Sequence, residues 1–237
     1  LYLIAELKQE TDYARHHVQK VSAFFAAMQG FANALKQAGH QVLHLTLDDS
    51  QAYQDLPDLL MQLCQQHGIS QLQFQRPDEY RLREQLVSLQ IDKVNISEWD
   101  SEHFLVPFTE LGDYFAPNKH VLMEGFYRKL RKRFNLLMED DGKPLGGKPL
   151  GGKWNYDAQN RNKFKSADLA NIPAPLLFEN PIEDILARLK RHNVITIGEA
   201  SDPLPWPINR QQSLALLDFF CQHCLPQFGQ FQDAMTA

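Results

Sequence analysis

A basic stretch in the second half of the sequence carries residues that could contact an anionic partner. In VLMEGFYRKLRKRFNLL (residues 121–137) a single acid, Glu124, accompanies five cations: Arg128, Lys129, Arg131, Lys132 and Arg133. Residues 119–165 contain 12 of the 24 Lys and Arg residues but only 5 of the 29 acidic residues, so this segment is +7 in a chain of net charge -5. Such an asymmetry points to an anionic partner at one face. The alternative is an ordinary solvated face.

A helical wheel separates these cations from an apolar stripe about 100° wide. The stripe contains Met123, Phe126, Tyr127, Leu130, Phe134 and Leu137. We therefore predict that the stripe faces the core, and that the opposite and flanking positions form one cationic surface centred on Arg128, Lys129, Lys132 and Arg133.

The basic stretch is followed by a loop with an unusual composition. The unit GKPLG occurs twice in succession, and GGKWNYDAQNR (residues 151–161) comes next. Trp154 and Tyr156 stand there among glycines, asparagines and the cations Lys153 and Arg161, without any aliphatic side chain larger than that of Ala158. The whole loop is about 40 residues long, and a loop of that length in a compact domain is usually functional or mobile.

Carboxylates follow the first predicted strand. Glu6 lies at its end, and Glu10, Thr11 and Tyr13 come shortly after it. Ligands of doubly wound sheets bind outside the carboxyl ends of the strands, so we predict that Glu6, Glu10 and Tyr13 contact a bound cofactor. An acid at the start of a helix, stabilised by the helix dipole, is the alternative role for Glu10, and both can hold.

Signatures of intrinsic catalysis and of metal binding are weak. Cys221 and Cys224 form a single pair in CQHC, whereas structural zinc usually takes four ligands from two such pairs. We expect buried or half-buried thiols and no metal. The sequence contains no phosphate-binding glycine loop and no nucleophile elbow, so no catalytic residue is predicted.

The hydrophobic pattern indicates an α/β fold. Short apolar runs at residues 1–7, 41–47, 71–75 and 93–97 predict strands, and residues 15–37, 55–67 and 78–89 predict helices between them. This alternation predicts a doubly wound parallel sheet. Further helices are predicted at residues 121–137, 181–191 and 211–225. We divide the chain into an α/β domain (residues 1–117) and a basic helix, long loop and helices (residues 118–237).

Bulk composition suits a cytoplasmic globular protein. The 237 residues are 43% hydrophobic and 22% charged. No apolar run approaches the roughly 20 residues that span a bilayer, and no secretory leader is visible. Three unevenly spaced cysteines do not predict a disulfide framework. We expect no membrane partner.

Four motifs together resemble a known family. EGFYRKLRKRFNLLM (residues 124–138), GGKWNYDAQNR, WPINR (residues 206–210) and FGQFQDAM (residues 228–235) occur in an order similar to that of the photolyase-related proteins. Residues 10–35 also resemble that family's first crossover helix. This is the bacterial, iron–sulfur branch of the cryptochrome/photolyase family, which is associated with (6-4) photoproduct repair.

The resemblance implies an architecture and a set of cofactors. An N-terminal α/β antenna domain would hold 6,7-dimethyl-8-ribityllumazine, and a C-terminal helical domain would hold FAD and a four-cysteine 4Fe–4S cluster. The sequence begins one strand later than that pattern and ends where the helical domain would begin. The resemblance therefore implies that this chain corresponds to the antenna domain and the interdomain segment only. By itself it would then have no repair activity. It also matches Glu10 to an acid at the antenna site.

The resemblance gives the unusual loop a role. Trp154 and Tyr156 would anchor the interdomain segment by burying large rigid faces. Lys153, Arg161 and the basic helix would face the protein's own flavin domain or, weakly, the DNA phosphate backbone. Stacking of Trp154 on a base is a further alternative.

Three functions remain open at this point. The leading one is the N-terminal domain of a light-dependent DNA repair enzyme or photoreceptor that binds an antenna chromophore and docks a flavin domain. The second is a stand-alone flavodoxin-like module that binds a small ligand without catalysis. The third is a nucleic-acid-binding accessory protein.

Overall fold

The computed structural model describes residues 1–140, 147–160 and 165–232. In chain order its first elements are β1 (Tyr2–Ala5), α1 (Lys8–Asp12), α2 (Val18–Gln37), β2 (Val42–Leu45), α3 (Leu47–Ser50), α4 (Leu56–His67), β3 (Gln71–Gln75) and α5 (Tyr80–Val87). They are followed by β4 (Asn95–Trp99), α6 (Leu111–Tyr114), α7 (Met123–Arg133), α8 (Glu183–Arg191), α9 (Arg210–Phe219) and α10 (Phe228–Phe231).

The chain divides into two compact units. One contains residues 1–69 and 165–228, and the other contains residues 70–164 and 229–237. Among the described residues, each unit has one sheet of two strands: β1 with β2, and β3 with β4. Both pairs are parallel, as predicted. The hydrogen bonds link these strands in pairs only, so a single doubly wound sheet remains a prediction.

The β1–α2–β2 unit follows directly from the sequence pattern. Strand β1 pairs in register from Tyr2 with Val42 to Ala5 with Leu45. A parallel pair needs a long crossover, and helix α2 supplies it. The side chain of His17 accepts a hydrogen bond from the backbone N–H of Gln19 and so caps the start of α2.

One face of α2 packs against α8. Val21 and Phe25 are buried there with Ile182, Ile185 and Leu189. A helical wheel of residues 15–37 predicts a wider apolar stripe, which includes Phe24 and Phe31 as well. Those two rings are 60% and 59% exposed, so the packed face is narrower than the wheel indicated.

Helix α4 begins and ends where its sequence predicts. The Asp55 carboxylate accepts a hydrogen bond from the Asp58 N–H at 2.9 Å, which satisfies a donor at the helix start. Gly68 ends the helix with φ 61°, in the left-handed region that glycine enters without strain. Leu59 and Leu63 pack with Leu7 in a second core cluster.

In the second unit, β3 and β4 pair from Gln71 with Asn95 to Gln75 with Trp99. Burial alternates along β3, since Leu72 and Phe74 are half-buried and the glutamines between them are exposed. The backbone N–H of Arg76 continues the ladder by donating to the Trp99 carbonyl at 2.7 Å. This extension places Arg76 at the carboxyl ends of both strands.

The last predicted helix is shorter than expected. Helix α9 ends at Phe219, and the chain continues in a π-helical turn at Phe220–Cys224. Cys224 is half-buried, but Cys221 is exposed, so the prediction of a sheltered thiol is wrong for Cys221. The π turn holds one residue more per hydrogen-bonded ring than an α-helix, which rotates side chains away from the predicted face.

Neither a metal site nor a membrane-spanning helix is found in the described part of the chain. Residues 1–140, 147–160 and 165–232 contain no group of three or more His, Cys, Asp or Glu side chains placed to hold a metal ion. Within the same ranges, no helix is both long and apolar enough to cross a membrane.

Candidate functional site

A pocket of about 250 Å³ opens at the carboxyl end of β1. Its wall comes from the end of β1, helix α1 and one face of α2. All three predicted cofactor contacts line it. The lining consists of Ala5, Glu6, Leu7, Glu10, Thr11, Tyr13, His16, Lys20, Val21, Phe24, Phe25 and Met28.

Glu6 lies in the buried wall of this pocket. Its Oε2 accepts a hydrogen bond from the backbone N–H of Leu47 at 2.9 Å, and its Oε1 accepts one from Arg188 Nη1 at 2.6 Å. Burial raises the pKa of the Glu6 carboxyl, and these two bonds oppose that rise. Both carboxylate oxygens of Glu6 are therefore bonded. They hold in place Leu47, the first residue of α3, and the guanidinium of Arg188 on α8.

Glu10 and Tyr13 lie nearer the mouth of the pocket. Glu10 is half-buried, and its Oε1 accepts a hydrogen bond from Gln9 Nε2 at 2.7 Å. Tyr13 is 54% exposed and stands edge-on to His16, with ring centroids 4.9 Å apart. A ligand in the pocket would meet one carboxylate and one phenol beside an imidazole.

Helix α2 and His16, which lies just before it, contribute lining residues that the sequence analysis did not assign. His16 Nδ1 and Lys20 Nζ lie 3.3 Å apart, and Phe24 and Met28 continue the same helical face. The spacing of four residues from 16 to 28 was the signal for this row. Aromatic and thioether faces beside a few polar groups suit a flat heteroaromatic ring with hydroxyl substituents.

A second group of predicted residues lies on α7. The wheel was correct for Phe126, Leu130 and Phe134, which are half-buried; Phe126 packs against Tyr114 and Phe115 at 5.1 and 4.8 Å between ring centroids. The wheel was wrong for three other members of the stripe. Met123, Tyr127 and Leu137 are 64%, 46% and 64% exposed.

Arg131 is the buried cation of this helix, and the sequence analysis gave it no separate role. It is 7% exposed. Its Nε donates to the Leu136 carbonyl at 3.0 Å, and its Nη2 donates to the Leu137 carbonyl. The helix ends at Arg133 rather than at the predicted residue 137. Asn135 and Leu137 adopt φ of 51° and 52°, so the chain reverses direction after the helix. Arg131 bonds to carbonyl oxygens within this reversal.

Trp154 lies beside three cations of α7. The charged groups of Arg128, Arg131 and Lys132 lie 5.4, 5.3 and 5.6 Å from its ring centroid. These distances are within the range of a cation–π attraction. The structure therefore brings three predicted residues, Arg128, Lys132 and Trp154, together on one side of α7.

The predicted cationic surface is partly neutralised. Arg128 forms an ion pair with Glu124 one turn away. Arg133 pairs with Glu110 and donates to the Tyr114 hydroxyl at 2.8 Å. The Glu110 and Tyr114 bonds raise the pKa of Arg133, and the bond from Arg133 lowers the pKa of Glu110. Lys129, Lys132 and Lys153 remain as exposed cations without an acidic partner in the described residues.

Tyr156 closes the loop on itself. Its hydroxyl donates to the Gly151 carbonyl at 3.1 Å. Gly151 has φ 74°, and a Cβ added there would lie 2.4 Å from the Tyr156 hydroxyl, so only glycine fits this contact. Tyr156 is 40% exposed. Arg161 and the first GKPLG unit lie outside the described residues.

Comparison with known proteins gives three matches. The model of a family described as deoxyribodipyrimidine photo-lyase-related protein matches residues 1–204. The chain is 26% identical over 235 residues to a (6-4) photolyase of Agrobacterium fabrum, covering 98% of this chain and 45% of that protein. It is 27% identical over 172 residues to an uncharacterized protein of Acanthamoeba polyphaga mimivirus, covering 68% of this chain and 81% of that protein. The chain thus spans less than half the length of the photolyase that it matches.

Proposed function

Because the chain belongs to the deoxyribodipyrimidine photo-lyase-related protein family, we propose that it forms the antenna-chromophore part of a photolyase-like, light-dependent DNA repair enzyme or photoreceptor. We further propose that the strands form a doubly wound sheet of the antenna type. The chain spans under half the length of the (6-4) photolyase that it matches, so FAD, an iron–sulfur cluster and lesion repair are proposed for the whole protein.

The observation that carries the proposal is the pocket at the carboxyl end of β1. Its residues suit 6,7-dimethyl-8-ribityllumazine: Tyr13, Phe24 and Phe25 offer apolar faces to a flat ring, and Glu10 can accept a hydrogen bond from a ribityl hydroxyl. When bound, the lumazine would absorb light and pass excitation to a flavin. Glu6 would act indirectly, because its two bonds hold the wall in place.

Titration of the purified chain with the lumazine tests this proposal. We expect saturable binding, seen as a change in lumazine fluorescence, and Glu10→Gln should weaken it about tenfold because a hydrogen bond to a charged acceptor is lost. Asp12→Asn is the matched control, since Asp12 is exposed, pairs with Lys8 and does not line the pocket.

Two results would contradict the pocket assignment. One is the absence of saturable lumazine binding by the folded chain. The other is equal loss of affinity in Glu10→Gln and Asp12→Asn, which would indicate a general effect of removing an acid near α1.

We infer a second role, for the face of α7 that carries Trp154. Lys129 and Lys132 of α7 are exposed, and the same stretch of chain also exposes the apolar side chains of Met123, Tyr127 and Leu137. Contacts to DNA phosphates require cations but no apolar neighbours. Aromatic and Met side chains beside cations are typical of protein interfaces. This combination favours docking of the protein's own flavin domain over a DNA contact.

A further inference from the structure

A cavity in the second unit is separate from the pocket proposed for the chromophore, and the two share no described lining residue. Its volume is about 770 Å³, within the range of sites that enclose small organic ligands. Nine of its fifteen described lining residues are apolar or aromatic, and four of these carry aromatic rings: Tyr80, Phe104, Phe108 and Phe126. The cavity is therefore mainly apolar.

Burial differs along the lining of this cavity. Val106 is 6% exposed, and Phe126 is half-buried. By contrast, Tyr80, Phe104 and Phe108 are 75%, 68% and 51% exposed. Removing apolar surface from water is favourable. A ligand that fills the cavity would thus be stabilised by covering three rings that the fold itself leaves exposed.

Most charged side chains of the lining are paired. Glu98, which does not line the cavity, accepts one hydrogen bond from Arg76 Nη2 and one from Arg83 Nε, both at 2.9 Å. Asp78 Oδ2 lies 2.9 Å from His103 Nδ1. Both guanidinium groups and one carboxylate of the lining therefore have a partner within the protein.

Asp100 is the remaining acid of the described lining. Its carboxylate accepts hydrogen bonds from the backbone N–H groups of Ser101 and Phe108 at 2.9 and 2.8 Å, and Arg76 Nε lies 4.0 Å away. Each charge of the described lining is thus compensated. A charged ligand would lose hydration here without gaining an opposite charge, and that loss is costly. A neutral ligand avoids this cost.

We propose that this cavity binds a neutral small molecule with an aromatic body. The body of the ligand packs on Tyr80, Phe104 and Phe108, in the offset or edge-on arrangements that aromatic pairs prefer. The compensated charges select against anions and cations alike. The concave shape and the volume favour a small molecule over a protein surface, because a pocket of this kind encloses most of the surface of its ligand.

N-phenyl-1-naphthylamine is a suitable probe, because it is neutral and its fluorescence rises in an apolar site. We expect saturable binding to the 237-residue chain. Phe104→Ser should weaken this binding about tenfold, because a ring that contacts the ligand is lost. Since Phe104 is 68% exposed, this variant keeps the fold. Leu122→Ser is the matched control: Leu122 is 69% exposed and does not line the cavity, so the affinity should stay within about twofold of the parent chain.

Two further variants show where on the chain the probe binds. Leu111→Trp adds bulk to the lining of the cavity and should weaken the probe by about tenfold or more. Phe24→Gln changes the pocket proposed for the chromophore and should leave the affinity for the probe within about twofold of the parent chain. Unchanged binding in Leu111→Trp, or the same loss in Phe24→Gln or Leu122→Ser as in Phe104→Ser, would overturn the proposal.

Competition by a matched set of naphthalene derivatives tests the charge of the ligand. Naphthalenemethanol is neutral, naphthoate is an anion, and naphthylmethylamine is a cation at neutral pH. The alcohol should displace the probe at a concentration about tenfold lower than either ion. Its saturated analogue, decahydronaphthalenemethanol, should compete less well because it cannot stack on the aromatic rings.

Two outcomes of these titrations contradict the proposal. Equal competition by an ion, or by the saturated alcohol, would refute a neutral aromatic ligand. Absence of saturable probe binding by the folded chain would indicate that a protein surface, and not a small molecule, covers these rings.

Discussion

At the residue scale, the chemistry of this protein depends on charges that are held in place by distant partners. Glu6 and Arg188 are separated by 182 positions in the chain, yet they form an ion pair of 2.6 Å with side chains 0% and 12% exposed. Asp48 joins the same group by accepting from Arg191 and His192 at 2.6 and 2.7 Å. These bonds tie α8 to the start of α3.

Replacement of Glu6 tests the ion pair. Glu6→Gln removes the closer carboxylate partner of Arg188 and leaves Asp48, 3.8 Å away, so the free energy of unfolding should fall by about 3 kcal/mol, the usual cost of breaking a buried pair. Urea denaturation measures this change. The double variant Glu6→Leu with Arg188→Met should lose less, because it leaves no buried charge unpaired. A double variant less stable than Glu6→Gln would refute the role assigned to this pair.

The Asp48 carboxylate should make stability depend on pH. Hydrogen bonds from Arg191 and then His192 lower the pKa of Asp48 from 3.8 to about 2. The folded-state pKa is below the unfolded one, so the stabilisation is complete above pH 3.8 and is lost as the pH falls towards 2.

Comparison with Asp48→Asn isolates this effect. The difference in free energy of unfolding between the parent chain and Asp48→Asn should be constant above pH 3.8 and should shrink below it. Asp92→Asn, at a 90% exposed position, serves as the control for losing one negative charge. A difference that stays constant down to pH 2 would argue against a paired Asp48.

At the element scale, helix α7 shows how one side chain sets a boundary. Five cations stand in its last six positions, and only Arg131 turns inward to bond the carbonyls of Leu136 and Leu137. The same guanidinium lies 5.3 Å from the ring centroid of Trp154. The end of the helix and the position of the tryptophan therefore depend on the same residue.

Arg131→Met should weaken both features. The carbonyls of Leu136 and Leu137 lose a charged donor, so the free energy of unfolding should fall by about 2 kcal/mol. The fluorescence of Trp154, identified by subtraction of a Trp154→Phe spectrum, should shift to longer wavelength as the ring becomes more exposed. Lys129→Met is the control, because Lys129 is exposed on the same helix. Equal effects in both variants would contradict a special role for Arg131.

At the scale of the whole molecule, charge limits what the chain can bind. The net charge is -5, and the positive charge is concentrated in residues 119–165. Within that segment Arg128 and Arg133 are already paired with acids. Within the predicted cationic surface and the loop after it, Lys129, Lys132 and Lys153 are exposed and have no acidic partner among the described residues.

Binding to duplex DNA measures this limit. If three lysines contact phosphates, the slope of log affinity against log salt should be about -3, and affinity at physiological salt should be no tighter than roughly 10⁻⁴ M, the weak end of non-specific binding. Fluorescence anisotropy with a labelled duplex would show it, and Lys129→Glu with Lys132→Glu should flatten the slope. Micromolar affinity or a much steeper slope would assign the α7 face to DNA instead of a protein domain.

The sequence by itself determined the type and order of the longer elements, but not the short helices α1, α3, α6 and α10. Strand β3 was predicted with its exact bounds, and both ends of α4 followed from Asp55 and Gly68, because caps and hydrophobic periodicity act over a few neighbouring residues. The position of Glu6, Glu10 and Tyr13 at one strand end was also predictable, and all three line one pocket. The family followed from motifs in the same way.

Only the tertiary structure decided which of these side chains are free to act. Glu6 has both oxygens bonded by Leu47 and Arg188, and Arg131 is the one buried cation among five neighbours. Periodicity assigns a residue to a face, but a hydrogen bond also needs a donor and an acceptor at the right distance, and the chain can bring these from far apart.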